Sequence, residues 1–107
     1  MYVYILANKI NSVFYTGVTN DLFRRMYEHK SGVIEGFSKD YHVTKLVYYR
    51  EITDIKEAIR FEKSLKKYSR KSKTRLIREL NPEMKDMSED WDFGKLGIPI
   101  EYTHFKS

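Results

Sequence analysis

The stretch "FYTGVTNDLFRRMYEHKSG", Phe14 to Gly32, carries the change from strand to helix that decides the fold. It opens inside the run Val13 to Val18, which is rich in aromatic and β-branched residues, as strands are. Thr19, Asn20 and Asp21 follow as capping residues, so the spacing predicts a helix from there with Asn20 as N-cap. Gly32 is placed to end it. On a wheel at about 100° per residue, Leu22 and Met26 point inward. Arg25 and His29, four apart, stack on one side at the margin of the apolar stripe. Arg24 falls nearly opposite that stripe, in solvent. Two adjacent arginines are therefore not equivalent.

Upstream, "YVYIL" (Tyr2 to Leu6) reads as a first strand, and "ANKINS" as a turn longer than two residues, giving a β-hairpin. The hairpin places Tyr4 and Tyr15 eleven residues apart, with Gly17 two beyond Tyr15. A glycine there allows a close approach or an unusual φ. Downstream, "VIEGFSKDYHVT" is a turn-prone connection and "KLVYYRE" (Lys45 to Glu51) a third strand. A second helix opens near Thr53 or Asp54, with Ala58, Phe61, Leu65 and Tyr68 as its buried stripe. Ser69 to Ser72 interrupt it, and a third helical run spans roughly Lys73 to Leu80, stopping before Pro82. The order β-β-α-β-α-α predicts an α+β domain with an antiparallel sheet over residues 1–91. Residues 92–107 form a tail without clear period, with Trp91 and Phe93 able to dock on the domain.

The 107 residues suffice for one domain with a modest core. There are no cysteines, which excludes disulfides and thiolate metal sites and suits a reducing cytoplasm. No apolar run approaches the roughly 18 residues of a membrane span, and the N-terminus lacks the features of a signal peptide. The net charge of +5 hides a strong asymmetry. Residues 60–78 hold nine Lys/Arg and one acid, a local net of +8. From Glu79 onward seven acids face three lysines. Solubility alone does not require such a concentration of one sign, and a polyanion such as nucleic acid is its natural partner. Glu62 is the acid of that basic stretch and can pair with Lys66 one helical turn on.

Taken singly, each of these residues has a structural explanation. Together they resemble the GIY-YIG nuclease superfamily, named for two strand motifs about ten residues apart. The first corresponds to "VYI" (Val3 to Ile5) and the second to "YTG" (Tyr15 to Gly17). The glycine of the first motif is absent, and Thr16 stands where the second has isoleucine. Family members carry an arginine ten residues after the second tyrosine, here Arg25, and often a histidine four further on, here His29. The metal-binding glutamate of a later helix matches Glu62 in "AIRFEKSLKKYSR", and an asparagine before a proline matches Asn81.

The resemblance runs from Tyr2 to about Trp91 and points to the small single-domain members, related to the nuclease module of the bacterial excinuclease of nucleotide-excision repair. It implies a three-stranded antiparallel sheet flanked by helices. It implies a divalent-metal-dependent DNA endonuclease serving repair or recombination, with one Mg²⁺ or Mn²⁺ on Glu62 and Arg25 clamping the scissile phosphate. Tyr4, Tyr15 or His29 would handle the attacking water; Gly17 and Asn81 would support the site. Lys63, Lys66, Lys67, Arg70, Lys71 and Lys73 would track the backbone of DNA without reading its sequence. RNA as substrate and a homodimer are also compatible. The competing reading is a module of the same fold that binds nucleic acid without cutting it.

Overall fold

A computed structural model describes residues 1–32 and 41–96 of the chain. Strands β1 (Tyr2–Ala7), β2 (Phe14–Thr19) and β3 (Lys45–Glu51) form one antiparallel sheet in the order β2-β1-β3. Helix α1 (Leu22–Ser31) follows β2; α2 (Ile55–Lys66) and α3 (Arg70–Leu80) follow β3. A short 3-10 turn covers Phe93–Leu96. The α+β class and the element order are as the sequence predicts. Residues 33–40 of the connection after Gly32, and the tail after Leu96, lie outside the described residues.

Period-two alternation in β1 feeds two cores, one on each face of the sheet. Val3, Ile5 and Ala7 pack with Ala58 and Leu65 of α2 and Ile77 of α3. Tyr4 and Leu6 pack on the opposite face with Leu22, Met26 and Tyr27 of α1, joined by Phe93. Trp91 stacks on Phe23, with ring centroids 5.7 Å apart, so both aromatic residues of this segment dock on α1. β1 is buried on both faces because it is the central strand.

Between Leu6↔Leu46 and Ile5↔Tyr48 the pairing of β1 with β3 shifts by one residue, leaving Val47 as the extra residue of a β-bulge. The bulged carbonyl is not left unpaired, because the Asn81 side-chain amide donates to Val47 O at 3.1 Å. The same amide donates to Lys85 O at 2.8 Å, and Lys85 N donates to Asn81 Oδ1. Asn81 therefore ties the end of α3 to the sheet and to the turn beyond it.

Three local details differ from the sequence reading. The N-cap of α1 is Asp21 rather than Asn20: its carboxylate accepts from Arg24 N at 3.0 Å, while Thr19 Oγ1 accepts from Asp21 N. Helix α3 starts at Arg70, a turn earlier than expected, because Ser69 caps it by accepting from Ser72 N. Tyr68 is exposed, since α2 ends at Lys66 and the chain turns before the stripe can continue. Gly32 does end α1, with φ of 75° in the left-handed region that favours glycine.

Candidate active site

The site residues come from both faces of the sheet and meet near its β2 edge. Tyr4 pairs with Gly17 across the β1–β2 ladder, and Leu6 with Tyr15, so Tyr4 and Tyr15 share the face covered by α1. From α1, His29 is set against both rings, with centroids 5.8 Å from Tyr4 and 5.3 Å from Tyr15. The tyrosine rings themselves lie 6.3 Å apart. Helical spacing puts His29 at the margin of the apolar stripe; the two rings close over that margin and bury it to 2% exposure.

Tyr4 Oη and His29 Nε2 are 3.0 Å apart in a buried hydrogen bond. Burial, reinforced by Arg25, holds His29 down at about 4, so its imidazole is neutral at physiological pH. Tyr4 is pushed well above the ordinary phenol range, chiefly by burial and next by Tyr15. Tyr4 is thus a neutral phenol, which donates when His29 Nε2 is the unprotonated nitrogen. Tyr4, held as the phenol, cannot take a proton from water, and His29, although unprotonated, is held to a low basicity by its burial. Tyr15, only half-buried, lies nearer solvent.

Arg25 is partly exposed, and its guanidinium lies 3.6 Å from Glu28 Oε1. Both charges are near enough to act on the Tyr4 hydroxyl, as is that of Glu62 from α2. Arg24 is turned away and sits 3.9 Å from its cap residue Asp21. The sequence reading does not single out Glu28; its signal was the i,i+3 spacing from Arg25.

Glu62 forms the expected pair with Lys66, Oε2 to Nζ at 2.8 Å. It is not a surface pair on both sides: Glu62 is buried while the Lys66 side chain is 57% exposed. The carboxylate fits a hard divalent cation, because it offers oxygen donors whose ammonium partner is exposed and displaceable. Among the described residues no three His, Cys, Asp or Glu side chains converge. Phosphate oxygens and water must therefore complete any shell around an ion held by Glu62.

Lys63, Lys67, Arg70 and Lys71 are exposed on α2, α3 and the turn between them, and Lys73 is half-buried. Gly17 lies against Tyr4, whereas Asn81 belongs to the bulge on β3. Among the described residues no helix is long and apolar enough to cross a membrane.

Residues 1–75 match the family described as "GIY-YIG catalytic domain". The chain belongs to the GIY-YIG family. That family is one of nucleases, and its fold implies a nucleic-acid substrate. The chain is 32% identical to the UPF0213 protein lin0209 of Listeria innocua, over 78% of this chain and 92% of the relative. It is 38% identical to the UPF0213 protein CPE1444 of Clostridium perfringens, over 71% and 81%. The solution NMR structure of the UPF0213 protein BH0048 from Bacillus halodurans superposes with a TM-score of 0.51 at 31% identity, covering 83% of this chain and 95% of that one.

Proposed function

We propose that this GIY-YIG protein is a divalent-metal-dependent endonuclease that hydrolyses phosphodiester bonds in DNA, in the service of repair or recombination. The observation that carries this reading is the convergence of an arginine, a buried carboxylate and a half-exposed tyrosine around the Tyr4–His29 hydrogen bond. Arg25 binds the scissile phosphate and stabilises the negative charge that builds on it. Tyr15 positions the attacking water and, as the phenolate, accepts its proton. Tyr4 and His29, locked together and uncharged, hold the Tyr15 ring and exclude water from behind it. Glu62 holds Mg²⁺ or Mn²⁺, which when bound stabilises charge on the leaving oxygen.

The test is incubation of the purified chain with supercoiled plasmid and branched DNA in Mg²⁺, Mn²⁺ or chelator. Metal-dependent nicking that disappears in Glu62→Ala supports the nuclease reading. Salt-sensitive binding with no product in any metal overturns it in favour of a binding module.

A further inference from the structure

A cleft of about 270 Å³ lies between the β1–β2 loop and the start of α3, lined by Ser12, Val13, Phe14, Arg70 and Lys73. It lies on the sheet face covered by α2 and α3, where Phe14 packs, which is the face that carries Glu62 and is opposite to that of Tyr15. It adjoins the candidate catalytic residues electrically, since Lys66, the partner of Glu62, acts on both Tyr15 and Lys73.

Its charge is uncompensated. Among the described residues neither Arg70 nor Lys73 forms an ion pair with an acid. Lys73 is nevertheless half-buried, and burial together with the Lys66 charge lowers it from the usual lysine range. A partly desolvated cation beside a second cation is a costly arrangement unless an anion joins it.

The opposite wall is stiff and carries a donor. Asn8 Oδ1 accepts from Ser12 N and Val13 N at 2.8 and 3.1 Å, which fixes the loop. Asn8 Nδ2 donates to Ser12 Oγ at 2.9 Å, leaving the Ser12 O–H to donate elsewhere. Phe14 and Val13 supply an apolar surface for a sugar.

We propose that this cleft is a phosphate subsite in which Arg70, Lys73 and the Ser12 hydroxyl hold a phosphodiester of the substrate strand next to the scissile one. The assignment rests on the nuclease reading for its substrate and adds a fixed position to the diffuse attraction of the basic helices. The strand is thereby held at two points, Arg25 and this cleft, which sets where along it the cut falls.

The test is a phosphate walk on a labelled oligonucleotide, with binding measured in chelator so that it does not depend on cleavage. Single phosphates are replaced in turn by neutral methylphosphonates. In the wild type, one position besides that coupled to Arg25 should lose about fivefold in affinity. In Lys73→Gln and Arg70→Gln the same replacement should have no further effect, while the other positions respond as before. A uniform response at all positions, or the same coupling lost in Lys71→Gln, would overturn the subsite and leave a non-specific basic surface. Displacement of inorganic phosphate from wild type, with no oligonucleotide position coupled, would overturn it in favour of a free-phosphate site. Coupling at one position in a protein that cuts nothing would uphold the subsite while removing the nuclease reading.

Discussion

Gly17 lies directly against the ring of Tyr4: a β-carbon built on Gly17 would stand 2.5 Å from the Tyr4 hydroxyl oxygen and 2.6 Å from Cζ. The glycine is needed for clearance and not for an unusual φ. Tyr4 is almost fully buried, so its ring cannot swing aside. Gly17→Ala should therefore lower stability by about 1–3 kcal/mol and disturb the Tyr4–His29 bond. Because Cζ is as close as the hydroxyl, Tyr4→Phe in the same chain should not restore the loss. Urea unfolding of the single and double variants checks both statements, and recovery in the double variant would contradict the steric account.

The two neighbouring arginines should separate by function. Arg25→Ala should lower metal-dependent cleavage by about a hundredfold or more, while Arg24→Ala stays within about threefold of wild type. Single-turnover rates at saturating protein give the comparison. Equal losses in the two variants would show that the helical faces have been assigned wrongly.

His29 makes stability depend on pH in a defined window. Its folded value is lowered from 6.5 to about 4, so between those limits the unfolded chain takes up a proton that the folded chain refuses. Stability is therefore fully present above about pH 6.5 and falls as pH drops to about 4, by about 3 kcal/mol in all. His29→Gln should flatten this slope. Denaturant midpoints at pH 7, 5.5 and 4.5 measure it; parallel profiles for the two proteins would count against the buried neutral histidine. Asp86, lowered by its bonds from Lys30 and Ser88 against the effect of burial, adds its own loss only at more acid pH.

Thr16 occupies the place where the family motif has isoleucine, and its buried hydroxyl has no hydrogen-bond partner among the described residues. Thr16→Val keeps the shape and removes the orphan group, so it should stabilise the fold by about 1 kcal/mol. A thermal midpoint that stays level or falls would mean that the hydroxyl is satisfied.

Lys66 holds the carboxylate that a metal ion would use. Lys66→Met removes this competitor and should tighten Mn²⁺ binding about two- to fivefold, in keeping with an exposed ion pair. Calorimetry in the absence of DNA reads this independently of cleavage, and unchanged or weaker binding would exclude the competition.

Much of the fold was legible in short-range signals. Strand and helix periods gave the element order, and the wheel separated Arg24 from Arg25. Helix ends were less legible, because Asn20 and Asp21 are both competent caps and only the path from β2 into α1 chooses Asp21. The Ser69–Ser72 segment likewise reads as a break until Ser69 is seen to accept from Ser72 N. The spacing of Arg25 and His29 put both on one rim. Only the rings of Tyr4 and Tyr15, brought over α1 by the sheet, bury the histidine and leave the arginine at the surface.

The sequence by itself determined the class of fold, the side-chain types of the candidate site and the concentration of positive charge in residues 60–78, because these follow from local period, spacing and charge. Tertiary structure decided what those side chains are able to do. Burial leaves Tyr4 and His29 uncharged and bonded to each other, and the register of β1 against β2 makes Gly17 the space for a ring. The packing of α2 on β1 and β2 brings a buried Glu62 to a site built on the other face. These are effects of desolvation and distance between residues far apart in the chain, and neither quantity is written in the order of residues along it.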